Sequence, residues 1–349
     1  MIIVNSPGNN QAYAPLEHAE WNGCTPTDLV FPFFLFIAGS AIAFSMSRRK
    51  QSGEPRGALL LQLLRRAAVI YALGMLLNAI PNYHPSTIRL LGVLPRIALC
   101  TLGASLLFLA SRTRTQAAVA AGLLGAYWLA MTLVPVPGHG PGLLTPEGSL
   151  ASWIDRLVLG AHTYHQGPFD PEGILSTLPA LATTLLGMLA GQWLRTERPR
   201  NEKAWGLLLA GLPLVAAGVW WGRFFPINKS LWTSSYVLYT GGLACCALSL
   251  CYGLADIAGW KSWGKPFEVL GMNAMAAYVV PILMLKFLVL TKVGGTAAGP
   301  IQLRVWLCDR LFGTWLGPRD ASLAFALAYL ALWTAVFWVL YRKRIFWKA

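Results

Sequence analysis

His18 and Asp28 stand ten positions apart at the head of HAEWNGCTPTDLVFPFFLFIAGS, where a polar, turn-prone segment runs straight into an apolar one. An imidazole, with an unperturbed pKa of about 6.5, exchanges a proton near neutral pH. It can take a proton from an ammonium group, or carry an acyl group briefly on nitrogen. A carboxylate beside it can orient the ring and stabilise its cation. The same aspartate also suits the first turn of a helix, where a negative charge meets the positive end of the helix dipole. Thr25 or Thr27 can cap that helix, and Pro26 fits its first turn. The sequence leaves both roles of Asp28 open.

The elements that must position these groups are membrane spans. Of 349 residues, 56% are hydrophobic and 12% charged, against about 25% charged in a soluble domain. From Leu29 to Met46 there is no charged residue, and Phe31, Phe33, Phe34 and Phe36 crowd the first turns. Such a run is long enough to enter a bilayer. Length and absence of charge predict nine spans, at approximately 28–47, 60–80, 92–111, 117–135, 173–194, 204–222, 232–255, 267–290 and 321–341. The expected fold is an all-α polytopic membrane protein. It has nine full transmembrane helices plus a truncated N-terminal one, in a single domain over 1–349. Met1 to Val4 is too short for the apolar core of a cleavable signal peptide.

A net charge of +14 in a soluble chain would suggest nucleic acid. Here the basic residues fall mostly in alternate short loops, so they set orientation and no nucleic-acid partner is expected. Arg48, Arg49, Lys50, Arg56, Arg65, Arg66, Arg195, Arg198, Arg200, Lys261, Lys265, Arg342 and Lys348 mark one side. That side is cytoplasmic, with the C-terminus, which leaves His18 and the other four histidines on the periplasmic or luminal side. The two long loops on that side, 136–172 and 291–320, follow suit. The first is rich in Gly and Pro and is expected to lack strong secondary structure. In the second, Trp306 and Trp315 suggest a helix lying in the interface. The six cysteines show no metal-ligand or disulfide spacing, and no metal is expected. A Cys24–Cys308 bridge would require an oxidising compartment.

Further polar groups sit at span ends: Asn228 and Lys229 in PINKSLW, and Asn273 in GMNAMAAY. An asparagine there can donate to a developing oxyanion or merely bond a neighbouring helix. Lys229 can snorkel to the interface. With Trp21, Asn22, Asp170 and Glu172 these form the candidate substrate-binding set. Pro179, Pro213 and Pro281 fall inside spans, and Pro179 and Pro281 are expected to kink helices beside a cavity.

Several strings together resemble the heparan-α-glucosaminide N-acetyltransferases and their bacterial relatives. They are HAEWNGCTPTDLVFPFFLFIAGS, RLLGVLPRI, LVPVPG, WIDRLVLGAHTYHQ, FDPEGILSTLPA, FPINKSLWTSSYV, GMNAMAAY and the ending YRKRIFWK. They run in family order over essentially the whole chain. The resemblance implies an enzyme that moves acetyl from cytosolic acetyl-CoA to a terminal amino sugar across the bilayer, and a homodimer. It places the catalytic histidine on His18, with Asn5 and Asp28 as its catalytic companions. The CoA phosphates would meet cations on the inner side, from Arg48, Arg49, Arg65, Arg66, Lys261 and Lys265. Two departures stand out: the helix before His18 is reduced to MIIVN, and GMN is followed by AMAAYVVP rather than a string with a histidine and an acid. A transporter of amino sugars, or a transferase of another acyl group to a glycan, fits the same spans.

Overall fold

The computed structural model describes residues 1–81, 83–296 and 299–347; Lys348 of the basic tail lies outside the described residues. A turn of helix, α1 (Ile2–Asn5), precedes the His18 segment, and α2 (Val30–Gln51) follows a 3₁₀ turn at Pro26–Leu29. Then come α3 (Arg56–Ala79), α4 (Val93–Ala110), α5 (Thr113–Leu133) and α6 (Leu150–Leu159). The bundle continues with α7 (Thr177–Leu194), α8 (Arg200–Trp221), α9 (Ser234–Tyr252), α10 (Lys265–Gly271) and α11 (Ala274–Leu290). A hairpin of β1 (Lys292–Thr296) and β2 (Gly299–Gln302) leads into α12 (Leu303–Cys308) and α13 (Pro318–Arg342).

Among the described residues, seven helices are long and apolar enough to cross a membrane: Pro26–Gln51, α3, α4, α5, α8, Ser234–Ile257 and α13. α10 and α11 make an eighth if read as one span bent by 72°. The other expected span, α7, has 18 residues and is not among those seven. Its Thr183, Thr184, Gly187, Gly191 and Gln192 suit a helix packed on protein rather than on lipid. The nine expected spans therefore resolve into seven, a bent pair and a central buried helix.

α7 packs against α2, α4, α5 and α9. Glycine makes its crossing with α2 close: a Cβ on Gly187 would overlap the Phe36 carbonyl, and one on Gly39 the Thr184 carbonyl. α8 and α9 approach in the same way through Gly211, Gly218 and Gly242. α13 packs on α1, α10 and α11.

The two long loops are more ordered than expected. Within 136–172, Ser149 Oγ accepts the Ser152 N–H at 3.2 Å and caps α6. α6 buries Leu150, Ala151, Asp155 and Leu159, and a charged residue on its inner stripe disguised the pattern. The helix expected within 291–320 is α12 continued by a π-helical turn at Asp309–Gly313, with Trp306 exposed on it and Trp315 exposed just beyond. Pro179 lies in the first turn of α7, where it makes no kink, whereas Pro213 and Pro281 are interior to α8 and α11. All six cysteines are free, so Cys24 and Cys308 are unbridged.

Candidate active site

Thr25 and Asp28 form a capping box at the entrance to α2, with Pro26 in the first turn. The two oxygens of Asp28 divide the roles that the sequence left open. Oδ2 serves the backbone: it accepts the N–H groups of Ala19 at 3.1 Å and Thr25 at 3.0 Å, and the Thr25 hydroxyl at 3.1 Å. Oδ1 faces two side chains, with His18 Nδ1 at 2.6 Å and Lys229 Nζ at 3.3 Å. Asp28 is 1% exposed and His18 54% exposed. A buried, fully hydrogen-bonded carboxylate thus holds a ring whose other edge meets solvent. Donation from Nδ1–H to Asp28 selects the tautomer with Nε2 bare, the atom that can accept a proton.

Lys229 Nζ lies 2.9 Å from His18 Nδ1 and 3.3 Å from Nε2. The sequence offered it as a snorkelling cation or a substrate-binding group; the fold places it against His18 and Asp28. Its loop is pinned to the His18 segment. Asn228 Nδ2 donates to Asn22 Oδ1 at 3.1 Å, and Gly23 N–H donates to the Ile227 carbonyl at 2.7 Å. Gly23 has φ +112°, which side-chain-bearing residues rarely adopt. Asn228 Oδ1 accepts the Leu231 N–H at 2.8 Å. Trp232 then takes φ +52°, a strained conformation for a bulky residue, costing on the order of 1–3 kcal/mol. Its buried indole, edge-on to Phe31 and Tyr236, offsets this. Tyr236 closes the ring by donating its hydroxyl to the Asp28 carbonyl at 2.6 Å. Beneath the pair the bundle is filled by Leu35, Trp232 and Tyr236, each no more than 1% exposed.

The other candidates act around this cluster. Trp21 donates to the Leu144 carbonyl at 2.8 Å and meets Phe169 edge-on, which ties the His18 segment to the first long loop. Asp170 and Glu172 both bind Arg89, a residue that sequence reasoning passed over. Burial opposes the Arg89 charge, but the two carboxylates outweigh it and hold its pKa above the ordinary value. Arg96 was also passed over, although RLLGVLPRI carries it into an apolar span. It is wholly buried, 5.1 Å from the Trp232 ring, and donates from Nη2 to the Gly173 carbonyl and Ser176 Oγ. Its Nε and Nη1 have no partner among the described residues.

Two groups are not partners of His18. Asn5 lines a small cavity with Tyr278, Pro281 and Tyr329. Asn273 is buried at the break between α10 and α11, where it bonds Ile345 and Trp347 of the tail. At that same end of the bundle, Arg48 and Arg49 close α2. Arg49 meets Gln62 of α3, and Arg65 and Arg66 follow on α3. Lys261 is exposed, and Lys265 bonds Glu268 and Tyr341. At the His18 end, a cavity of about 320 Å³ is lined by Tyr13, Leu16, Glu17, Arg304 and Arg319, among others. Two of these directly precede His18.

Two predictions follow from acid–base properties around the site. Burial pushes the Cys24 thiol up to about 12, with Asp28 adding to the rise. Thiolate is the reactive form, so iodoacetamide at about pH 8 is expected to leave Cys24 unlabelled in the folded protein and to label it after denaturation. Rapid native labelling, read by peptide mass mapping, would contradict this. Burial also pushes the Asp155 carboxyl from 3.8 up to about 6, partly countered by the Ile174 N–H. The folded chain therefore holds this proton more tightly than the unfolded chain does. The group's contribution to stability is greatest below about pH 4 and declines as pH rises to about 6. Asp155→Asn keeps the bond to Ile174 and removes the decline. It should be more stable than the wild type at about pH 7.5, by up to about 3 kcal/mol, with a higher thermal midpoint that converges on the wild-type value near pH 4. A difference that does not change with pH would refute the assignment.

Fold and site together define a helical, polytopic membrane protein with a histidine–aspartate–lysine cluster at one end of its bundle. Residues 12–223 match the sequence model for the heparan-alpha-glucosaminide N-acetyltransferase catalytic region. The chain belongs to that family. It is 30% identical to the mouse protein named heparan-alpha-glucosaminide N-acetyltransferase over 405 aligned residues, and 30% identical to the human protein of the same name over 408. Each alignment covers all of this chain and 58% of the relative, so the chain spans a little over half the length of these curated proteins. The family match takes in His18, Asp28 and Arg96 and ends just before Lys229.

Proposed function

We propose that this chain is a membrane-embedded acetyltransferase that moves acetyl from acetyl-CoA to the amine of an amino sugar at the His18 end of the bundle. The observation that carries the reading is the 2.6 Å contact between half-exposed His18 and buried Asp28, in a chain of this family. A sugar amine is an ammonium at neutral pH and must lose a proton before it attacks a thioester. His18 Nε2 takes that proton, or carries the acetyl group between donor and acceptor. Asp28 holds the ring in the required tautomer. Lys229 places a positive charge where the thioester oxygen becomes an oxyanion.

The adjoining cavity, with Glu17, Tyr13 and two arginines, supplies the acceptor site. The basic ends of α2 and α3, with Lys261 and Lys265, meet the CoA phosphates on the cytoplasmic side, in keeping with the distribution of Lys and Arg. An acyl-pantetheine arm reaching His18 from that side displaces the packing of Leu35, Trp232 and Tyr236. The test is transfer from labelled acetyl-CoA to glucosamine by the purified chain in detergent, paired with glucosamine uptake into liposomes. Transfer supports the reading; uptake without acetylation identifies a transporter.

A further inference from the structure

Lys229 presents a primary ammonium to His18, the group that the acetyltransferase reading assigns to an acceptor's ammonium, and to Asp28 behind it. Nζ has Asp28 Oδ1 as its acceptor at 3.3 Å and lies against the His18 ring, 2.9 Å from Nδ1 and 3.3 Å from Nε2. A sugar ammonium that is to be deprotonated by Nε2 must donate to that same nitrogen. Lys229 therefore sits beside the nitrogen that an acceptor's amine must approach. It is 22% exposed, on a loop anchored by Asn22, Thr233 and Ile227 rather than free to swing away.

We propose that Lys229 is a self-acetylation site, filled from the acyl thioester when no acceptor is bound, and that its acetylation switches the enzyme off. The inference rests on the acetyltransferase reading of His18. His18 Nε2 removes a proton from Nζ, and the freed lone pair attacks the thioester carbonyl carbon. The carbon–sulfur bond breaks, the departing thiolate takes the second proton from the acylated nitrogen, and His18 releases the first to solvent. The products are Nε-acetyllysine and the free thiol, with no other reactant needed. The modified side chain has lost its charge, so it no longer pairs with Asp28. Its acetamide fills the space beside Nε2 that an acceptor's amine must enter.

The experiment uses the full chain in detergent with deuterated acetyl-CoA and no acceptor, followed by digestion and mass spectrometry of all lysine peptides. The heavy acetyl group is expected on Lys229 well above the background at exposed Lys50 and Lys261, and glucosamine in excess should suppress it several-fold. His18→Ala and His18→Gln should reduce it to that background, and acetylated enzyme should lose transfer activity in proportion to the label. A preparation that acetylates glucosamine while Lys229 stays at background overturns the inference and leaves the function standing. Equal labelling of Lys229 with and without His18 also overturns it, because that is uncatalysed chemistry. A preparation that transfers acetyl to neither glucosamine nor Lys229 overturns both.

Discussion

His18→Ala is expected to lower acetyl transfer to glucosamine by about 10²–10⁴-fold, the range that a positioned general base contributes. The ring is half exposed, and its hydrogen-bonding partners are Asp28 and Lys229. Its loss therefore removes little packing, and Asp28 keeps the three donors to Oδ2 that hold the start of α2. The variant should run as the same species on size exclusion and melt close to the wild type. Asp28→Asn separates orientation from capping. It keeps an oxygen for the cap but loses the anion that fixes the His18 tautomer and balances Lys229. Activity should drop steeply, with only about 1 kcal/mol of stability lost, the typical value of a cap. A folded His18→Ala protein retaining more than about a tenth of wild-type activity would remove His18 from the chemistry.

The second large effect concerns the fold itself. Gly187→Ala is expected to destabilise the protein by about 2–4 kcal/mol, and Gly187→Leu to abolish the folded species, since losses above about 4–5 kcal/mol exhaust most of a marginal stability. The obstacle at Gly187 is the Phe36 backbone carbonyl, which cannot rotate aside as a side chain would. A methyl group must push α2 away from α7, and with it the entrance turn that holds Asp28. Gly122 in α5 is the control, because a Cβ there meets nothing within 4 Å. Gly122→Ala should be neutral or stabilise slightly, since alanine loses less backbone freedom on folding. Thermal midpoints and the monodisperse yield of the two alanine variants provide the comparison. Equal midpoints would mean that the close crossing of α2 and α7 is not what holds the bundle.

The reach of the sequence depends on the distance over which each cause acts. Long uncharged runs produce helices by local hydrogen bonding and bilayer solvation, so the spans are legible one at a time. What the sequence does not show of α7 is its place at the buried centre of the bundle, which depends on its neighbours. Asp155 hid α6 in the same way: a charge on the inner face breaks the apolar stripe, and only packing shows that it is buried.

By itself the chain determined an all-helical membrane fold and the capping turn at Thr25–Asp28. It also brought His18 and Asp28 within reach of each other, because ten residues around one turn leave few ways for them to stay apart. The tertiary structure decided which asparagines and cations belong to the site. It brought Lys229 across 211 positions to His18, left Asn5 and Asn273 elsewhere, and buried Arg96 against Trp232. Those meetings depend on the register between helices, set where glycines let backbones touch, and no local run of residues encodes that register.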